Sequence, residues 1–304
     1  MKRTVVGLVT AAVAVLGLSA CGGSSGSPLS GSGSSSSTTI TIGSGNFPES
    51  ELLAQIYAGA LRANGITVKT HLDIGSREVY FPALKDGSIN LIPEYTGTLL
   101  QYLNKDATQV SSTDVYSALK QVLPSGITAL NMAAAQDSDA IVVTKATAQK
   151  YHATSIADLA PNCGKLTFGG PPELQKRPDG LPGFKKNYNC VFGTFKSLDA
   201  GGPLTIGALK NGDVQAADIF TTDSSIPDNG WVVLTDPKNN FAAQNVVPVL
   251  AQDKATPEVS KALNAVQAKL DTTGLAKLDA TLAGPTHPDA STVAENWLKS
   301  VGLA

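Results

Sequence analysis

The chain has 304 residues, with 23 Lys and Arg against 25 Asp and Glu, for a formal net charge of −2 at pH 7. It carries no basic patch, which argues against nucleic acid as a partner. Its histidines, His71, His152 and His287, stand in no metal-ligand spacing, and no Gly-x-Ser-x-Gly elbow occurs. Neither a metal, a cofactor nor a serine nucleophile is therefore expected.

Lys2 and Arg3 open the chain and Val5 to Leu18 form an apolar run too short to span a bilayer, so residues 1–20 read as a signal peptide. Leu18-Ser19-Ala20-Cys21 looks like a lipobox, with cleavage before Cys21 and lipid on its sulfur; the alternative is an ordinary secretory signal with a chance cysteine. Between residues 22 and 37 every residue is Ser or Gly except Pro28 and Leu29. Such a segment buries no core, and residues 21–38 read as a lipidated cysteine on a flexible tether of roughly 20–25 Å reach. One acyl chain anchors only marginally, so firm attachment needs a multiply acylated Cys21. With Cys21 set aside, Cys163 and Cys190 remain either as a disulfide, which persists outside the cytosol, or as two free buried thiols.

The folded part begins near Thr39 with a strand to Gly43. Asn46-Phe47-Pro48-Glu49 has the form of a helix start with Asn46 as cap, and Leu52, Leu53, Ile56, Tyr57, Ala60 and Leu61 follow at helical spacing. Ile66 to Ile74 alternates as a strand, Arg77 to Lys85 reads as a helix closed by Asp86-Gly87, and Ile89 to Ile92 as a strand ending at a Pro93 turn. Tyr95 to Leu103 and Val115 to Val122 read as helices. Strand, helix, strand, helix, strand predicts a parallel α/β sheet. Ile127 to Met132 and Ala140 to Val143 are strand candidates, with Gln136-Asp137-Ser138-Asp139 between them. Further on, Leu166 to Phe168, Ala216 to Phe220 and Val246 to Leu250 read as strands. Thr205 to Asn211 reads as a helix, Thr256-Pro257-Glu258 caps another, and two helices lie around Leu275 to Leu282 and Thr292 to Val301. A helical tail after a crossing strand divides the chain into a first lobe (39–140), a second lobe (141–245) and a return to the first (246–304), with a cleft between the lobes.

The segment from Ile89 to Thr98, Ile-Asn-Leu-Ile-Pro-Glu-Tyr-Thr-Gly-Thr, resembles the "IDxYPEYTGT" signature of substrate-binding proteins of ABC importers for betaine, choline and carnitine. Four other segments resemble that family in order: Thr41 to Glu49 its "IGSKNFTE" opening, Arg177 to Phe184 its "RxDGxPGL", Ala217 to Ile226 its "YSTDGRI" exit, and Pro257 to Leu303 its C-terminal pattern. The resemblance implies an α/β fold of the type II periplasmic-binding-protein class, two lobes joined by two crossover strands, with no catalysis. It implies a small-molecule ligand, an ABC permease with its ATPase as partners, and contact with the membrane through the lipid anchor only. A monomer is expected.

Family members that bind quaternary amines use a cage of tyrosines. Here Tyr95 is kept, while Phe220, Leu181 and Ile92 stand at other cage positions, Ala135 to Asp139 stands for a later "NNTYA", and Asn90 stands for the signature Asp. Asp137 or Asp139 can replace lost ring attraction by charge; the alternative is a neutral polar or phenolic ligand. The expected ligand contacts are Ser44, Asn46, Ser76, Arg77, Tyr95, Thr96, Asp137, Asp139, Arg177, Phe220 and Thr222. Arg177 is expected to meet a ligand carboxylate or phenolate, with Asp179 as its alternative partner.

Overall fold

The structure is a computed structural model, and it describes Thr39 to Ala304. The segments expected as signal peptide and tether, with Cys21, lie outside the described residues. No described helix is long and apolar enough to cross a membrane.

The first lobe opens with β1 (Ile40–Gly43), α1 (Pro48–Ala63), β2 (Val68–His71), α2 (Arg77–Asp86), β3 (Leu91–Tyr95), α3 (Thr96–Leu103), α4 (Ser112–Val122) and β4 (Ile127–Ala129). The second comprises β5 (Asp139–Val143), α5 (Lys145–Tyr151), α6 (Ile156–Leu159), β6 (Thr167–Gly170), α7 (Leu181–Tyr188), β7 (Thr194–Ser197), α8 (Pro203–Asn211), β8 (Ala216–Phe220), α9 (Ser225–Asp228) and β9 (Val232–Val233). The chain then returns with β10 (Val246–Ala251), α10 (Pro257–Gln267), α11 (Thr272–Leu282) and α12 (Ala290–Ser300). The two five-stranded sheets run β2-β1-β3-β10-β4 and β7-β6-β8-β5-β9. Helices cover both, so the α/β fold of two lobes is present as expected.

Neither sheet is purely parallel. β2, β1 and β3 are parallel, but β10 enters antiparallel to β3 and β4, and β5 enters the second sheet antiparallel to β8. A strand arriving from the other lobe needs no helical crossover and inserts from the opposite end. The strand expected to stop at Pro93 continues to Tyr95 because Pro93 faces Pro248 of β10. Two opposed prolines have no N–H to exchange, so the pair sits at a non-hydrogen-bonded place in the ladder and breaks nothing. The long strand expected over Ile66 to Ile74 is only Val68–His71, an edge strand with three exposed residues. Helix α1 is capped at Phe47 rather than Asn46, and no side chain bonds its first turn from the cap position; Pro48 fills the first helical position, where no N–H is needed.

Helix α1 supplies the core of the first lobe, with Leu52, Leu53, Ile56, Tyr57 and Leu61 fully buried against β1, β3 and α12. It packs so close to α12 that a Cβ at Gly59 would lie 2.5 Å from Leu298 Cδ1. The second lobe is built on Phe168, Phe184, Leu159 and Ile156. Cys163 and Cys190 form a disulfide there, joining the loop before β6 to the end of α7.

The sulfurs are 27 residues apart in sequence, and on the chain-entropy account closing such a loop stabilises the folded chain by about 3.5 kcal/mol. The prediction is that reductant, or Cys163→Ser with Cys190→Ser, lowers the urea midpoint by a corresponding amount. Coincident unfolding curves with and without reductant would contradict it.

Candidate functional site

Two crossing segments join the lobes and lie side by side. Gln136 bridges Asn245 in antiparallel fashion, Asp137 N donates to Gln244 O (3.2 Å), and Val246 N donates to Ala135 O (3.0 Å). The end of β3 grips the second crossing segment. Thr96 N donates to Asn245 O, Thr96 Oγ1 donates to Ala243 O, and Asn245 N donates back to Thr96 Oγ1, all within 3.0–3.1 Å. Gln244 Oε1 accepts from the N–H groups of Gly97 and Thr98 at 3.0 Å each, serving as the side-chain cap of α3. Only glycine fits at position 97, where a Cβ would stand 2.7 Å from Ala243 O. Thr-Gly-Thr in the signature is therefore a fastening for the crossover. Thr96, expected to touch ligand, is buried in this seam.

Behind the seam lies a buried ion pair. Arg77, at the start of α2, donates from Nε (2.8 Å) and Nη2 (2.7 Å) to Glu94, and Nη2 also donates to Thr98 Oγ1 (3.0 Å). Glu94 accepts further from the Tyr80 hydroxyl (2.9 Å) and the Tyr95 N–H (3.1 Å). A fully buried carboxylate is tolerable because all these donors meet it. The charges are thus held at the ends of strands, where this class of fold places its ligands.

Above this pair a cavity of ≈ 50 Å³ lies between the lobes. The first lobe contributes Asn46, Phe47, Ser76, Arg77, Tyr80 and Tyr95; the second contributes Asp139, Arg177 and Phe220; Asp137 and Gln244 come from the crossing segments. Of the expected contacts, Asn46, Ser76, Arg77, Tyr95, Asp137, Asp139, Arg177 and Phe220 are brought together here. Ser44 is not. It is fully buried, accepts from Asp73 N (2.8 Å) and donates to Gly45 O (2.9 Å), so it holds the turn after β1. Thr222 lies outside this cavity, donating to Glu49 Oε2 (3.1 Å) from the opposite lobe. Phe47 and Tyr80 were missed. An aromatic residue just after a strand, or inside an amphipathic helix, reads as core until its neighbours are known.

Arg177 spans the cleft. Its Nε and Nη2 donate to Glu78 of α2 at 3.1 and 2.9 Å, and Glu173 lies at 3.7 Å. Burial pushes the Glu78 carboxyl up, but the bonds from Arg177 outweigh it and hold it down to about 2. The expected alternative partner, Asp179, lies instead with Asp139 and Asp218 beneath the cavity, where burial raises all three carboxyls, Asp179 to about 6. One ring contact crosses the cleft: Phe47 lies 5.1 Å from Phe220, centroid to centroid, while Tyr95 in its own lobe lies 6.0 Å from Phe47. No group of three or more His, Cys, Asp or Glu among the described residues can hold a metal ion.

Glu49 is a second junction. It accepts from the Tyr95 hydroxyl and from Thr222 across the cleft, and it lies beside Asp279 of α11. Burial, then Asp279, pushes Glu49 well above the usual carboxylate range, and burial raises Asp279 from 3.8 to about 7. A raised carboxyl keeps its proton in the folded chain after the unfolded chain has lost it. Stability from Asp279 is therefore full below pH 3.8 and is lost as pH rises through about 7. Asp279→Asn should raise the melting temperature more near pH 8 than near pH 4.5, since the variant never has to ionise at this place. An equal change at both pH values would contradict this.

Comparison with known proteins bears on this site. The family profile for the substrate-binding domain of ABC-type glycine betaine transport systems, OpuAC, matches residues 38–300. The glycine betaine-binding protein YehZ of Escherichia coli is 27% identical over 277 residues, covering 86% of this chain and 90% of its own. A glycine-betaine-binding protein of Pseudomonas aeruginosa is 28% identical, covering 79% of this chain and 81% of its own. A solved structure described as a glycine betaine/carnitine/choline ABC transporter superposes with a TM-score of 0.69 at 26% identity, over 87% of this chain and 99% of that one. The chain belongs to the family of substrate-binding domains of ABC-type glycine betaine transport systems.

Proposed function

We propose that this chain is a lipid-anchored receptor that captures a quaternary-amine solute of the glycine betaine, choline and carnitine class. It hands that solute to an ABC permease driven by its ATPase. The family consists of extracytoplasmic transport proteins that deliver a small ligand to a permease, not of enzymes. The anchor is Cys21, outside the described residues, and the chain acts as a monomer. The observation that carries the ligand class is the cavity itself. Phe47, Tyr80 and Tyr95 from one lobe and Phe220 from the other surround a small space with Asp137 and Asp139 at its wall. Ring faces and carboxylates attract a trimethylammonium group. Phe220 replaces a tyrosine without losing the face. Tyr80 and Phe47 add faces that offset the missing cage positions at Leu181 and Ile92.

The two arginines serve the other end of a zwitterion. Arg77 and Arg177 direct Nε and Nη2 to Glu94 and Glu78, and among the described residues Nη1 of neither makes a hydrogen bond. Those nitrogens are the donors for a ligand carboxylate. Asn46 and Ser76 supply neutral polar contacts. On this reading Asp137, whose carboxylate accepts from Thr221 Oγ1 and Thr222 N at 3.0 Å, ties the crossing segment to the second lobe as well as facing the ligand.

Calorimetric titration of the exported chain with glycine betaine, carnitine and choline tests the proposal. One saturable site is expected, with Tyr95→Ala and Phe220→Ala each weakening it about tenfold or more, the worth of one cation–π face. A ligand at a hundredfold excess over its dissociation constant should add about 2.7 kcal/mol to stability. Folded variants that bind with unchanged affinity would contradict the site, and absence of binding to all three solutes would contradict the ligand class.

A further inference from the structure

Between the lobes lies a second, larger space of ≈ 710 Å³. Its lining mixes apolar and charged groups: Pro48, Leu282 and Asp279 of the first lobe, and Ile206, Gly207 and Lys210 of the second. Phe47 and Phe220 border both this chamber and the inner cavity, with Ala200 and Asp137 at the edges of the partition. Their rings meet at 5.1 Å, tilted by 44°. Each ring is seated on a glycine. A Cβ at Gly45 would stand 2.9 Å from Phe47 Cε1. A Cβ at Gly201, whose φ is +62°, would stand 2.9 Å from Phe220 Cδ2. Side chains pressed against backbone on one side and against each other on the other have little rotamer freedom, so the partition is stiff.

We propose that the Phe47–Phe220 pair is a length filter, confining the receptor to short quaternary amines by closing the inner cavity off from a chamber large enough for longer ones. The proposal rests on the inner cavity being the quaternary-amine site. The two rings bar a longer ligand's way from the inner cavity into the larger space, which it reaches only by parting them and the lobes that carry them. Parting them forfeits the contacts across the cleft from Arg177 to Glu78 and from Thr222 to Glu49. Removing one ring joins the two spaces and opens a path for the added methylenes. An attraction-only role for Phe220 makes a different prediction, since losing a ring face weakens every ligand of the series alike.

The test is calorimetric titration with a series of trimethylammonium carboxylates having one to five methylenes between nitrogen and carboxylate. Wild type should bind the one-methylene member, glycine betaine, at least about tenfold tighter than the longest. Phe220→Ala should weaken glycine betaine yet bring the ratio close to one or invert it, and Phe47→Ala, from the other lobe, should do the same. Gly207→Phe uses a position where an added Cβ meets nothing within 4 Å. Alone it should leave glycine betaine binding unchanged, and combined with Phe220→Ala it should partly restore discrimination by taking space from the chamber. The filter is refuted if folded Phe220→Ala and Phe47→Ala lower affinity for all chain lengths by one common factor, or if wild type binds the longest member as well as glycine betaine. Absence of binding to every member by wild type instead removes the quaternary-amine reading, and the filter with it.

Discussion

The arrangement of this receptor depends on one amide oxygen. Gln244 Oε1 accepts the first N–H groups of α3, and the backbone on either side of Gln244 is laced to Thr96. This seam joins the end of β3 to a segment arriving from the other lobe. It ties Tyr95, which ends β3, to the segment that brings β10 into the sheet. The first lobe then cannot present its ring to the cleft without also fixing where the second lobe ends. Pro-Glu-Tyr-Thr-Gly-Thr is therefore mostly architecture: Glu94 holds Arg77, Thr96 to Thr98 hold the crossover, and only Tyr95 lines the cavity.

Around that seam, charge is managed in two ways. Arg77 with Glu94 and Arg177 with Glu78 are ion pairs, one inside a lobe and one between lobes. Glu49 with Asp279, and Asp139 with Asp179 and Asp218, are carboxyls crowded together, and burial raises each of them. Like-charged carboxyls in contact share protons, so the acids behind the cavity carry less charge than their number implies. Asp137 and Asp139 at the wall are raised by the same burial, so the ring faces carry much of the attraction for a cation. The same crowding couples the fit of the lobes to pH, because Glu49 touches Thr222 across the cleft.

Much of the fold was legible because its signals are local. Strand β8 is legible at its observed bounds, Thr256 is legible as the cap of α10 and accepts from Val259 N as a cap should, and the order of elements implies two α/β lobes. What escaped was non-local. Asp179 stands near Arg177 in sequence, but the carboxylate that Arg177 bonds, Glu78, lies 99 positions away. Pro93 read as a strand end because nothing nearby shows Pro248 facing it. Ser44 and Thr96 have the chemistry of ligand contacts, and burial decides that their hydroxyls serve the backbone. The short, weakly periodic α5, α7 and β7 carry too little pattern to be read at all. Tyr95 and Phe220 stand at strand ends, which point them at the cleft, whereas the place of Phe47 and Tyr80 at the cavity depends on neighbours that only the folded chain supplies.

On the proposed function, the two lobes meet around a quaternary amine held by rings from both. A crystal structure of the chain grown with glycine betaine measures this most directly. The trimethylammonium group should lie among Tyr95, Tyr80, Phe47 and Phe220, with the carboxylate toward Arg77 and Arg177 and the Arg177–Glu78 and Thr222–Glu49 contacts intact. Glycine betaine bound elsewhere, or bound in the cleft with those inter-lobe contacts broken, would contradict it.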